Sequence, residues 1–377
     1  MTQRRFNATI MRGGTSRGVF LREGDVPVSG REKFLVGLIG SPDPLQVDGL
    51  GGGFSSTSKA ILVKRNPISK DIEYLFAQVY VDKPKVDYNG NCGNLTAAVG
   101  PYAVEEGMMP EAMDQNAKKI DVPLFNINTQ KHIVSTFDVA NGKPDYRGMN
   151  SIQGVPKTGV SVYYKVLDPA GTVVGKEPIL EPSLNLNFDG ERVEVSVFDI
   201  TSVYAFVEPP VLGLKGDELP PDVNSNPRVL ERVHKLRGAI KKELGKRLPS
   251  EPAGEESELS LRLLMVSKMK DYKDWLGNNV KNEDADIMLR AFSLGKMHHS
   301  IPFTAALCTA AALKISGSIV SRNAKNVSGG EIRIAHPKGV AKAYADVKDV
   351  RGKSTISYVG GYRTSRLLMR GEAFLQE

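Results

Sequence analysis

Cysteine is scarce in this chain: two residues in 377, Cys92 and Cys308, more than 200 positions apart. That spacing excludes a disulfide framework and a CxxC metal or redox site, and fits a reducing, cytoplasmic setting. Long apolar runs are missing as well. No window approaches the ~20 consecutive apolar residues of a membrane span, and the start, MTQRRFNATIMRGG, has basic residues but no apolar signal core. Neither secretion nor insertion is expected. The glycines form no phosphate cradle of known type. A P-loop needs GxxxxGK[ST], but Lys59 follows Ser58 and precedes Ala60; a dinucleotide fingerprint needs GxGxxG, but the sixth position from Gly49 is Phe54. His298 and His299 are adjacent and lack a partner one turn on, so they are not the helical zinc pair of HExxH.

What is present describes a folded chain of about two domains. Apolar residues make up 41% and charged residues 25%, too hydrophobic for disorder. The length exceeds one ordinary core, and two domains imply a cleft in which a site would lie. The net charge of +7 has two readings, nucleic acid or a small polyanionic substrate. The cations are spread along the chain without tails or an aromatic-interleaved patch, which argues against nucleic acid. The densest run, Asn226 to Arg247, has a capping Asn226, Pro227 at the first helical position, and Val229, Val233, Leu236, Ile240 and Leu244 at helical spacing. Its cations therefore occupy the solvated face of an amphipathic helix.

The order of elements predicts an α+β fold. Up to about residue 90, short β-rich runs such as ATIMRGGTSRGVFL, KAILVKR and YLFAQVYV alternate with Gly, Pro and Asp. A Pro-rich passage near KEPILEPSLNLNFDG places the domain boundary near residue 190, giving domains 1–190 and 191–362. The second half holds strands, the amphipathic helix, a polar flexible segment LPSEPAGEESELS, the strand LRLLMVSK, a helix at DADIMLRAFSLGK, and closing strands. Two Ala-rich segments, CGNLTAAVGPYAVEEG and FTAALCTAAALKI, lack a polar face over their first turns, so each must be buried on all sides within a strongly curved sheet. Pro101 predicts irregularity near Gly100.

Four segments concentrate reactive groups: MRGGTSRG, DGLGGGFSSTSK, DYNGNCGNLTAAVG and KMHHSIPFT. Cys92 is either an inert buried thiol or a group at a helix N-terminus, where free N–H donors and the helix dipole favour a thiolate or a bound carboxylate. Cys308, inside the second Ala-rich helix, reads as core. Lys59 is either a strand-end cation or, if buried, a base. His299 is either a structural histidine or a site group. Arg17 and Arg363 can each fork onto a carboxylate.

Taken in order, MRGGTSRGVFL, DGLGGGFSSTSKAILV, VDYNGNCGNLTAAVGPYAVEEG, IQGVPKTG, GKMHHSIPFTAALCTAAA and YRTSRLLMRGEAFL resemble the landmarks of the PrpF family of 2-methylaconitate, 3-methylitaconate, aconitate and 4-oxalomesaconate isomerases. The resemblance implies a diaminopimelate-epimerase-like fold, two similar domains each wrapping sheet around a central helix, with the strand from residue 363 returning to the first domain. It implies a cytoplasmic enzyme without metal or organic cofactor, acting on a small unsaturated polycarboxylate and assembling as a homodimer or higher homo-oligomer. Lys59 falls on the family's catalytic lysine and takes the role of base and proton shuttle; Cys92 falls on its NCGN cysteine and is either the second acid/base or, with the N–H groups of Gly93 and Asn94, a substrate-positioning group. Thr15, Ser16, Arg17, Ser58, Asn91, Gly93, Asn94, Lys296, His299, Thr304 and Arg363 are the candidates for holding substrate. Thr201 and Ser202 stand where the family has Asn-Pro, GVPKTG stands for GVPGTG, and ISGS for IPGT; these departures bear on which acid is used. The rival reading is a non-catalytic binder of small carboxylates.

Overall fold

The structure is a computed structural model describing residues 3–114, 117–248, 257, 259–326, 330–350 and 353–376. Most of LPSEPAGEESELS lies outside the described residues. The chain forms two compact units, Met1–Lys165 with Tyr362–Glu377, and Val166–Gly361.

The first unit opens with a hairpin of β1 (Gln3–Gly13) and β2 (Ser16–Arg22), in register from Thr9–Phe20 to Gly13–Ser16. Gly14 turns it at φ +52°, a conformation side chains resist. Helix α1 (Arg31–Ile39) then leads to β3 (Lys59–Arg65), which lies parallel to β2. The sequence reading gave only strands here. A parallel pair, however, requires a crossover, and α1 supplies it, burying Phe34, Leu35, Leu38 and Ile39 against Phe6, Val19, Leu21, Leu62 and Val79. Its apolar residues are too evenly spread to show a helical stripe.

Antiparallel to β3 runs β4 (Ile72–Val79), followed by the short β5 (Val86–Asp87) and helix α2 (Gly93–Glu105). Next come β6 (Lys119–Asn126), parallel to β4, then β7 (Lys131–Ala140), β8 (Lys143–Pro144) and β9 (Val160–Leu167). Alternating burial along β6 and β7 marks strands with one face turned to a core. Helix α2 packs against β1, β2, β4, β6, β7 and β8 and is buried from Gly93 to Val104, as its lack of a polar face requires. Its helical span includes Pro101, beside the Gly100 position where a kink or irregularity is expected. Gly100 lets β7 approach: a Cβ there would lie 2.9 Å from both Ser135 Oγ and Phe137 Cε1.

In the second unit β10 (Leu180–Phe188), β11 (Glu191–Asp199) and β12 (Val203–Val207) form an antiparallel meander. The Pro-rich passage around residue 180 is thus a strand paired with β11, and the units part at Lys165/Val166 instead of near residue 190. A short helix α3 (Pro220–Asn224) precedes α4 (Pro227–Leu244), which is the amphipathic helix. The Asn226 side chain caps it by accepting from Val229 N, and Val229, Val233, Leu236, Ile240 and Leu244 all enter the core. At roughly 1.5–3 kcal/mol per fully buried side chain, this stripe contributes on the order of 10 kcal/mol before entropy is counted. Then come β13 (Arg262–Ser267), parallel to β12, a small hairpin of β14 (Tyr272–Lys273) and β15 (Asn279–Val280), β16 (Ile287–Ser293) antiparallel to β13, and β17 (Lys296–Met297). DADIMLRAFSLGK was expected to be a helix, but its core is β16. Ile287 to Phe292 are buried without interruption, and a strand covered on both faces loses the alternation that would identify it.

Helix α5 (Phe303–Leu313), buried from Phe303 to Ala312, is followed by α6 (Ile319–Asn323), β18 (Glu331–His336), which is parallel to β16, and β19 (Gly339–Val350). The last strand, β20 (Lys353–Gln376), pairs with β19 up to Gly360 and with β1 from Ser365 onward. Ala373 and Leu375 pack onto the α1 cluster, which ties the chain end into the first unit. Each unit therefore repeats one scheme: two antiparallel strands, a parallel step bridged by an outer helix, an antiparallel strand, and a second parallel step bridged by a buried helix.

Candidate active site

Within the first unit, the mouth of α2 collects most of the residues singled out in the sequence. Cys92 is the N-cap of α2, and its thiol lies 3.8 Å from the Ser16 hydroxyl at the start of β2. Two residues along the same face of β2 is Gly18, one step before the Val19–Ala60 pair and so next to Lys59 at the start of β3. A Cβ on Gly18 would lie 2.7 Å from Leu95 Cδ1 of α2 and 3.6 Å from Lys59 Cβ. Lys59 therefore faces α2, with no side chain from β2 in its way.

Lys59 is 8% exposed. Its amine donates to Gln78 Oε1 and lies 5.1 Å from the centre of the Phe76 ring. The helix mouth is built to receive negative charge. No acidic residue occupies the first turn of α2, and the helix dipole and open N–H groups favour an anion there. Asn91 shapes the turn: its Oδ1 accepts from Cys92 N at 2.7 Å, and its Nδ2 donates to Tyr74 OH and Thr96 Oγ1, each at 3.0 Å. Asn94 donates to the Thr15 hydroxyl at 3.1 Å, while its own Oδ1, buried, has no hydrogen-bond partner among the described residues. Gly93 O accepts from Tyr164 OH at 2.7 Å. Tyr164 is in turn the electrostatic neighbour of buried Arg363, whose guanidinium burial lowers to about 9. Arg363 is thus still a cation at neutral pH.

The glycine-rich turn before Lys59 is held from both sides. Gln46 Oε1 accepts from Gly52 N, Gly53 N and Ser58 Oγ at 2.8–2.9 Å, so the Ser58 hydroxyl is directed into the loop. Arg17 donates to Gly51 O at 2.9 Å. Gln46, Gln78 and Tyr164 were missed in the sequence. For Gln78 a signal existed: it is the lone amide in YLFAQVYV, an otherwise apolar strand.

The remaining candidates lie in the second unit. Lys296 is exposed on β17. The Thr304 hydroxyl, in the first turn of α5, is 2.6 Å from Tyr204 OH. His299 stacks on His298 with ring centres 4.7 Å apart, and Trp275, itself under Lys338, lies 6.4 Å away. Burial, reinforced by Lys338, lowers His299 to about 4. Cys308 is fully buried, and desolvation raises its thiol well above the ordinary value, as a core residue requires. Among the described residues no helix is long and apolar enough to cross a membrane.

A family model described as "PrpF protein" matches residues 3–376. The chain belongs to the PrpF family. Its similarity extends to a 2-methyl-aconitate isomerase of Shewanella oneidensis, 33% identical over 97% of this chain and 95% of that one. The crystal structure of a methylitaconate-delta-isomerase covers 100% of this chain and 96% of its own at 31% identity, with a TM-score of 0.74. A hydroxyproline epimerase from Agrobacterium vitis, 12% identical, shares the fold at a TM-score of 0.58 over 99% and 94% of the two chains. The fold is thus diaminopimelate-epimerase-like, and this PrpF protein is an isomerase.

Proposed function

We propose that the protein catalyses a cofactor-independent 1,3-proton shift, or the cis–trans change that such a shift allows, on an unsaturated di- or tricarboxylate of the aconitate type. Aconitate and 2-methylaconitate fit best, with methylitaconate and 4-oxalomesaconate as alternatives on the same scaffold. The observation that carries this reading is the placement of Lys59: a buried amine facing an anion-receptive helix mouth. Neutral Lys59 takes a proton from the allylic carbon, and the electron pair moves into a dienolate conjugated with a carboxylate. The N–H groups of Gly93 and Asn94, with Arg363, hold that developing charge. Return of the proton to the far carbon of the allylic system completes the shift, and no redox partner is needed. Cys92 and Ser16 position the substrate beside the base, and Thr15 and Arg17 complete its polar surround.

General-base removal typically costs about 10²–10⁴ in rate. Lys59→Ala is therefore expected to abolish exchange of the allylic proton with D2O, followed by proton NMR on aconitate, methylaconitate, itaconates and oxalomesaconate. Exchange at the wild-type rate in this variant would overturn the assignment of the base. Unchanged spectra with wild-type protein across the whole set would favour a non-catalytic carboxylate binder.

A further inference from the structure

Lys59 pairs with Gln78 on β4, and Gln78 with Asp87 on β5. Gly18, which pairs with Met11 on β1, lies one step before the Val19–Ala60 pair, and a Cβ on it would lie 3.6 Å from Lys59 Cβ and 2.7 Å from Leu95 Cδ1 of α2. Residues directly opposite on neighbouring strands project from the same face, so Gln78 shares the face of Lys59. Gln78 is 2% exposed and spends its whole amide here. Its Nε2 lies 3.0 Å from Ser58 O, 3.2 Å from Ser55 O and 3.2 Å from Val79 O. These three carbonyls fix the amide's orientation: turned over, it would set oxygen against oxygen. Oε1 is thereby aimed at the Lys59 amine.

We propose that Gln78 is a positioning residue for proton transfer, holding the Lys59 amine at the α2 mouth by a neutral oxygen while tying it to the backbone of the glycine-rich turn at Ser55 and Ser58. This rests on the reading of Lys59 as the base. The groups around Lys59 define what a charge at position 78 would do. β4 presents Phe76 beside Gln78, and β2 presents Gly18, with Arg17 on its other face. α2 brings the Cys92 thiol and no acid in its first turn. β5 brings buried Asp87, whose carboxylate accepts from Asn89 N at 2.9 Å and from Tyr80 OH at 3.4 Å. A glutamate at 78 would put a carboxylate in direct contact with the amine, which favours the ammonium form.

Gln78→Glu is expected to move the low-pH limb of kcat/KM upward by about one unit or more, so that activity at neutral pH falls roughly tenfold and recovers as pH rises. Gln78→Leu removes the polar atoms and leaves an apolar side chain one bond shorter. It is expected to lower kcat by about 10- to 100-fold with KM within about threefold, limb unmoved, and D2O exchange falling in parallel. A thermal melt establishes that each variant is folded. If the glutamate variant does not fold, the leucine variant, together with the pH dependence of Lys59 acylation in it and in wild type, decides the matter. Wild-type kcat in Gln78→Leu, or an unmoved limb in a folded Gln78→Glu, overturns the inference. If Lys59→Ala is inert while both Gln78 variants match wild type, this inference alone fails; if Lys59→Ala exchanges normally, the base assignment itself is lost.

Discussion

Lys59 opens β3, and Arg262 opens β13. Each strand lies parallel to the last strand of its unit's opening antiparallel run, β3 to β2 and β13 to β12. Beside Lys59 lies Gly18, one step before the Val19–Ala60 pair; opposite Arg262 is Tyr204. That one exchange separates the two units. The buried Tyr204 ring occupies the second position, with its hydroxyl 2.6 Å from Thr304 Oγ1 and accepting from Arg262 Nη1 at 2.9 Å. Arg262 also reaches Ser202 at 3.3 Å. In the second unit the cation is held within the unit by the Tyr204 and Ser202 hydroxyls through one guanidinium nitrogen, while its buried Nε has no hydrogen-bond partner among the described residues. In the first, the missing side chain leaves the amine room to meet a substrate. On the proposed reading, a duplicated scheme keeps chemistry in one copy and stability in the other.

The comparison breaks most visibly at Gly18. Filling it with leucine, as Tyr204 fills its counterpart, is expected to lower kcat/KM at least about 100-fold, because the side chain must occupy the space beside Lys59 and Leu95. Steady-state rates and a melting curve on the same sample separate loss of site from loss of fold. The converse change, Tyr204→Phe, removes the partner of Thr304 and Arg262. It is expected to cost about 1–3 kcal/mol in denaturant unfolding, with activity per folded molecule within about twofold. An active Gly18→Leu enzyme would dissolve the distinction between the two units.

A smaller effect is expected at the cysteines. Cys92→Ser should lower kcat/KM about tenfold, mostly through KM, with D2O exchange retained at saturation, as suits a residue that positions substrate. A loss confined to kcat would instead make Cys92 a proton carrier. Cys308 lies a full turn inside α5, and its raised thiol pKa leaves negligible thiolate at pH 8. Iodoacetamide followed by mass spectrometry should leave it unmodified in the folded protein, and Cys308→Ser should change stability without changing KM.

Much of this contrast was legible in the sequence. A helix apolar on every side can exist only inside other structure, so CGNLTAAVG and FTAALCTAAA announced the two buried helices, and Asn226-Pro227 announced α4. The small and polar residues beside Cys92 and Lys59 marked the site. What stayed hidden depended on pairing across sequence distance. Strand β16 is buried on both faces, so its pattern carries no period. Helix α1 is called for by the parallel β2–β3 step, which no local pattern encodes. The boundary near residue 190 relied on prolines that β10 accommodates. Gly18 looked like any turn-side glycine until Lys59 was seen beside it, and the Lys59–Gln78 contact needed the β3–β4 register.

His299 sharpens the comparison at its finest scale. It precedes α5 in the second unit, where a charged imidazole would have given that helix mouth a cation comparable to Lys59 or Arg363. Burial and Lys338 instead hold it at about 4, so at neutral pH it offers only a neutral ring. The sign follows from proton counts. Between about pH 4 and the unfolded value near 6.5, the unfolded chain binds more protons at this residue than the folded one. Stability therefore rises with pH across that window and levels off above it. The full shift corresponds to roughly 3 kcal/mol at 1.36 kcal/mol per unit, and partial solvent access reduces the expected slope to about 1–2 kcal/mol in total. Urea unfolding at pH 4.5, 5.5, 6.5 and 7.5 should show this rise in the wild type and a flatter profile in His299→Gln. KM at pH 7.5 should differ by less than about threefold between the two, since no charge is lost there. A large rise in KM for His299→Gln at that pH would mean that the second unit does place an ionic group on the substrate, and that the division of labour between the units is less complete than Tyr204 and Gly18 suggest.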